Sequence, residues 1–242
     1  MKDIKINNEK IRIVIIDSGI DTNETYLRNY IKEETGFKLN EKLDVVEEHN
    51  PKIKNDHGTV IAKTIKYICN EVEFISINIL DENLSTDGRV LIQALKKSIS
   101  YNPHIVHLSL GTTKIKYWYP LKKLCKFLNK NNVIIVSAAN NEGKRSYPAY
   151  LKEVIGVKGE NINNTYFYNN KFFYSSLGLP NDLCISSKRY RDVTGNSISA
   201  AYITGYICRT ILELGNKSNK EIIAYLKSEG QKNYNENYYH IG

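Results

Sequence analysis

No stretch of this 242-residue chain is apolar for long enough to span a bilayer. The opening segment, MKDIKINNEK, is polar and lacks the apolar core and cleavage site of a secretion signal. These absences argue against a membrane protein and point to the cytoplasm. Cysteine is sparse: Cys69, Cys125, Cys184 and Cys208 form no CxxC pair, which argues against zinc. Each neighbours apolar residues and is expected as a reduced core or near-core thiol. Neither GxGxxG nor a P-loop is present, which leaves an α/β nucleotide-binding module a remote reading. The net charge is +8, yet the lysines are spread along the chain with no basic block. A solvated surface explains that better than a nucleic-acid partner does. No repeat, low-complexity tract or linker divides the chain, so residues 1–242 are expected to form one domain. No carboxylate cluster suggests a preformed ion site, and no metal or cofactor is expected.

What is present is an alternation of two periodicities. IRIVII (11–16) is a buried strand ending in a DSG turn. HGTVIAKTIKYI from His57 has helical spacing, and EFISINIL through Leu80 is a strand. GRVLIQALKKSISY (88–101) is an amphipathic helix stopped by Asn102-Pro103. HIVHLSLG (104–111) is a strand, YPLKKLCKFLNKN a helix with Pro120 near its start, and NVIIVSAA (132–139) a strand. Shorter strands are expected near 154–157 and 172–175, then helices after Asn196 and near 220–228. The Asn-rich segment 160–171 reads as a surface loop, and the tail NYNENYYHIG has no clear period. Strands alternating with helices imply a mainly parallel sheet covered on both faces.

In an open parallel sheet, sites form beyond the carboxyl ends of the strands. Asp17 follows the first strand, Asn140 and Asn141 follow the strand ending at Ala139, and His57 and Ser197 each open a helix. Singly, Asp17 reads as a turn or N-cap residue, His57 as a cap, and Ser197 equally as a cap or a nucleophile. Together they are the parts of an acyl-transfer machine: serine attacks, histidine takes its proton, aspartate orients the imidazole. His104 and His107 read as core or edge histidines, His49 and His240 as solvated. Glu33-Glu34 and Glu47-Glu48 read as solvated acids, and Asp21 as a turn residue.

The contexts of these residues resemble the subtilisin-like serine proteases, the subtilases. VIIDSGID resembles that family's aspartate block, DHGTVIAKTI its His-Gly-Thr block, VSAANNEG its Ala-Ala-Gly-Asn-Glu-Gly block and GNSISAAYITG its serine block, in the family's order. HLSLG is similar to its substrate-binding Ser-Leu-Gly strand, and YPAYLKEVIGV to its Tyr-Pro-Ala segment. The similarity runs from about Ile11 to about Leu214. It implies a subtilisin-like three-layer α/β sandwich, a triad of Asp17, His57 and Ser197, and an oxyanion donor at Asn141. It also implies a peptide or protein substrate held as an extended strand along Ser109, Leu110 and Gly111. Pocket walls at Ala138, Ala139 and Asn140, and a floor at Ser146, follow from the same matching.

Three departures stand out: Asn196 replaces a threonine, Ala201 a proline and Asn140 a glycine. They leave open a non-catalytic relative that only binds peptides. Asn140 and Ser146 are expected to shrink the pocket, favouring small, polar or charged groups over Phe or Leu. The calcium loop that many subtilases insert after the His-Gly-Thr helix has no room in YICNEVEF. Little sequence precedes Asp17, so activity without a folded propeptide is expected. An unexported protease is expected to be narrow in specificity, with leader-peptide removal as one such task.

Overall fold

The computed structural model describes residues 10–162, 165–186, 193–215 and 217–238, without the side chains of 184–186 and 236–238. The Cys184 side chain and His240 therefore lie outside what is described.

The first strand, β1 (Ile11–Asp17), shows why a two-faced core forms. Ile11, Ile13 and Ile15 point to one side of the sheet and Val14 and Ile16 to the other, all buried. A strand apolar on both faces belongs in the middle of a parallel sheet covered by helices. Around it run β2 (Ile31–Leu39), β3 (Val45–Glu48), β4 (Val72–Asn78), β5 (Ile105–Leu108), β6 (Ile134–Ala138), β7 (Ile155–Glu160), β8 (Tyr166–Asn169) and β9 (Phe172–Ser176). The order is β3-β2-β4-β1-β5-β6-β7-β9-β8. Among the described residues, only the two outermost strand pairs, β2–β3 and β8–β9, are antiparallel. The α/β sandwich read from the sequence is the fold observed.

The helices are α1 (His57–Ile68), α2 (Gly88–Ser98), α3 (Trp118–Lys130), α4 (Asn181–Ser186), α5 (Asn196–Leu214) and α6 (Asn219–Tyr238). On one face, α1, α5 and α6 bury Ile61, Ile65, Tyr202, Ile203, Ile207 and Leu226 against the odd-numbered side of β1. On the other, α2 and α3 bury Leu91, Leu95, Leu121, Cys125 and Leu128 against Val14 and Ile16. Cys69, Cys125 and Cys208 are buried and free, as expected of core thiols. Among the described residues no helix is long and apolar enough to cross a membrane.

The margins of the sheet differ from the sequence reading. β2 and β3 are strands where only acids and loops were expected. Segment 160–171 contains β8, and the last helix runs on to Tyr238. In these places half the side chains face water, so no run of β-branched residues marks the strand. Glu47 and Glu48 are not simply solvated: they pair with Lys97 and Lys38. The link from α1 to β4 is only Cys69 to Glu71, too short to carry a calcium loop.

Candidate active site

Asp17 is the last residue of β1 and is fully buried. Two backbone features place His57 against it. Ser18 Oγ donates to the Asn55 carbonyl (2.8 Å) and accepts from the Gly58 N–H (3.0 Å), tying the strand end to the first turn of α1. Gly58 also sits where a Cβ would lie 2.4 Å from the Gly19 carbonyl oxygen, so only glycine permits this approach. The Asn55 side chain braces the turn into α1 by accepting from the His57 N–H at 2.9 Å.

The result is an imidazole with Nδ1 2.8 and 3.1 Å from the two Asp17 carboxylate oxygens. Burial alone would raise the Asp17 carboxyl. The charge and hydrogen bond of His57, the Ser109 hydroxyl and the Ser18 N–H outweigh it, and the net shift is downward. Burial likewise opposes the charged imidazole, but the Asp17 carboxylate prevails and His57 is held above its ordinary value of 6.5.

Ser197 is the second residue of α5. Its hydroxyl donates to the Ser109 carbonyl at 3.0 Å. Gly195, just before the helix, has φ +131°, a conformation that disfavours any side chain. Asn196 takes over as a clamp where the resemblance led us to expect threonine. Its Oδ1 accepts from the Gly159 N–H (2.7 Å) and its Nδ2 donates to the Ala139 carbonyl (3.0 Å), fixing the start of α5 to the ends of β6 and β7. The Asn196 N–H donates to Asn141 Oδ1 at 3.0 Å. With its oxygen so engaged, Asn141 keeps Nδ2 as a donor at the edge of the cleft it lines.

That cleft, about 650 Å³, is lined by His57, Ser197, Asn141, Ser109, Leu110, Gly111, Ala138, Ala139, Asn140 and Ser146. Every side chain read from the sequence as lining the substrate site is here, as are His57, Ser197 and Asn141, with Asp17 buried behind His57. Lys54, Leu80, Leu84, Val193 and Thr194 also line it and were not anticipated. Leu80 and Leu84 sit in the loop after β4, and nothing in their periodicity marks them as cleft residues. Next to Ser146, Thr112 and Tyr147 exchange backbone hydrogen bonds at 2.7 and 2.8 Å in a short antiparallel bridge.

Asn140 does not offer its carboxamide oxygen to a ligand. Oδ1 accepts from the Glu142 and Lys144 N–H groups of its own turn, at 2.9 and 3.3 Å. Ser146, buried, accepts from the Asn140 N–H at 3.1 Å. Its hydroxyl is one of the polar groups that line the cleft. Among the described residues, no three His, Cys, Asp or Glu side chains gather as a metal site requires.

An aspartate–histidine pair and a serine at the carboxyl edge of a parallel sheet define a layout suited to a serine hydrolase. The model of the subtilase family, peptidase S8, matches residues 8–239. The major intracellular serine protease of Bacillus subtilis is 26% identical over 223 residues, covering 83% of this chain and 68% of that protein. The minor extracellular protease Epr of the same organism is 29% identical over 215 residues, 83% of this chain but only 30% of Epr. A thermostable alkaline protease of Halalkalibacterium halodurans is matched over 45% of its length. Among solved structures, a cold-adapted subtilisin-like serine proteinase superposes with a TM-score of 0.69 at 15% identity, over 93% of this chain and 84% of that one. Sphericase gives 0.67 at 18%, over 91% and 83%. The chain belongs to the subtilase family and is a subtilisin-like serine protease.

Proposed function

We propose that the chain is a single-domain serine endopeptidase acting through Asp17, His57 and Ser197. The observation that carries this reading is the Asp17–His57 pair at 2.8 Å, opening on the cleft that Ser197 enters from the end of α5. A substrate strand lies along Ser109, Leu110 and Gly111 by main-chain pairing. Its amide N–H competes for the Ser109 carbonyl and releases the Ser197 hydroxyl toward His57. The Ser197 oxygen bonds to the scissile carbonyl carbon as its proton passes to His57 Nε2. The carbonyl electron pair moves to oxygen and is met by Asn141 Nδ2 and the Ser197 N–H at the helix N-terminus. Collapse breaks the C–N bond, and the amine leaves with the proton from His57. Water then hydrolyses the acyl-enzyme by the reverse sequence. In subtilisin itself, loss of the oxyanion asparagine lowers turnover on the order of 10²–10³.

The buried hydroxyl of Ser146 supports a preference for small or polar groups before the cleaved bond, because an apolar ring leaves it unpaired at a cost of about 1–3 kcal/mol. The relative named as an intracellular protease supports a cytoplasmic location. A cytoplasmic protease is best matched to narrow specificity, such as removal of a leader segment. Digestion of unfolded casein at many sites would sink that assignment. A fluorophosphonate is expected to label Ser197 in the wild type and nothing in Ser197→Ala. One observation favours a binding-only relative: the Ser197 hydroxyl rests on Ser109 rather than on His57. Absence of label on folded wild-type protein establishes that alternative instead.

A further inference from the structure

His107 lies in the middle of the sheet, on β5, and is completely buried. Its register neighbours on β1 and β6 are the apolar Ile15 and Val136. A histidine is costly in such a place unless both ring nitrogens are satisfied. Both are: Nδ1 is 2.8 Å from Thr204 Oγ1 of α5, and Nε2 is 3.0 Å from Ser109 Oγ. The Ser109 hydroxyl also acts on Asp17, helping to hold its carboxyl down.

The directions follow from what each group can do. An ionised carboxylate only accepts, so the single hydrogen of Ser109 goes to Asp17. Ser109 Oγ then presents a lone pair to His107, whose Nε2 must carry the proton. Nδ1 is left bare and accepts from Thr204. Every donor in the row Thr204, His107, Ser109 points toward Asp17.

We propose that His107 is a positioning residue for the protease reaction, acting through Ser109 to hold the Asp17 carboxylate ionised and aimed at His57. This rests on the triad reading above. The Nε2–H keeps the Ser109 hydroxyl from turning to water or substrate. The same Ser109 supplies the wall carbonyl that a substrate strand must pair with, so His107 fixes the acid and the substrate strand through one residue. The titratable groups acting on His107 are Asp17 of β1 and His57 of α1. α5 presents the Thr204 hydroxyl. Burial pushes the imidazole down to about 4, so it remains a neutral donor wherever the enzyme works.

The test compares His107→Phe, His107→Gln and Ser109→Ala. The Phe variant fills the space without a donor and is expected to lower kcat about tenfold with KM within about twofold. It also moves the acid limb of kcat/KM to higher pH, because the positive end of the relay no longer opposes the charge on His57. The Gln variant carries an amide N–H to Ser109 and restores most of kcat and the limb. Combined with Ser109→Ala, the Phe variant adds no further loss, since the relay is already cut. Equal losses in Phe and Gln with an unmoved limb would mean packing alone and overturn the proposal. Nitrogen-15 NMR of imidazoles in Ser197→Ala protein gives a readout free of activity and of any folding failure in the Phe variant. A neutral His107 protonated on Nε2 supports the relay, and protonation on Nδ1 overturns it. A wild type that no fluorophosphonate labels removes the triad reading, whereas the NMR tautomer still answers for the relay.

Discussion

The two faces of the sheet are built by different rules. On the face of α2 and α3, helices are amphipathic: α3 buries only Leu121, Cys125 and Leu128, with Phe127 and the lysines turned to water. On the other face, α5 is buried without interruption from Ile198 to Gly205, packed against the sheet and against α1 and α6. Both helices that open with a candidate catalytic residue, α1 at His57 and α5 at Ser197, lie on this second face. A helix held on one stripe can shift and roll without harm to a surface. A helix that must aim a side chain to within a fraction of an ångström needs support on every side. The contrast also explains why the Pro-to-Ala departure at 201 is accommodated: Ala201 is wholly buried within that packing.

The largest effect that would sharpen this contrast is on the chemical face. Asp17→Asn is expected to lower kcat on the order of 10⁴, because an amide holds the wrong imidazole tautomer. With the carboxylate gone, burial alone acts on His57, and the acid limb of kcat/KM falls to lower pH than in wild type. Stability should move oppositely to activity. The raised His57 value adds stability that is fully present below 6.5 and is lost as pH rises through its folded value. The depressed Asp17 value adds stability that is present above 3.8 and is lost as pH falls through its folded value. The melting temperature of wild type should therefore exceed that of Asp17→Asn most between these two limits, and the gap should narrow as activity rises. A gap that widens above neutral pH contradicts this account.

A smaller effect tests the packing rule. Gly205 of α5 meets Ile68 of α1, and an added Cβ would lie 2.5 Å from the Ile68 Cβ. Gly205→Ala is expected to cost about 1–3 kcal/mol in denaturant titration by overpacking. Lys126→Ala, exposed on α3, should stay within about 0.5 kcal/mol. Equal changes at the two sites would remove the distinction between the faces.

The smallest effect is chemical. Burial pushes the Cys125 thiol of α3 up to about 12. Cys69, at the end of α1, is held below its ordinary value by the Cys208 hydrogen bond, against the opposing effect of burial. Mild alkylation at neutral pH, mapped by mass spectrometry, should reach Cys69 before Cys125. The reverse order would show that the α2–α3 face opens more readily.

The sequence by itself determined the central strands and the main helices, and it marked the candidates for chemistry. β1, β4, β5 and β6 are apolar on both faces, and such runs leave little choice of environment. Asp17, His57, Asn141 and Ser197 stand in local blocks whose residue types need one another, so they can be recognised without coordinates. The margins could not be read in this way. β2, β3 and β8 are held by one neighbouring strand or by a half-solvated face, and their side chains carry the composition of loops.

What only the tertiary structure decided are bonds between residues far apart in the chain. The clamp of Asn196 on β6 and β7, the turning of Asn140 into its own loop, and the resting place of the Ser197 hydroxyl on Ser109 are of this kind. So is the meeting of His107 with Thr204 and Ser109. A hydrogen bond depends on direction and on distance to a few tenths of an ångström. Hydrophobic periodicity carries only the face to which a side chain points, and the partner it finds there is set by how the whole sheet and its helices pack.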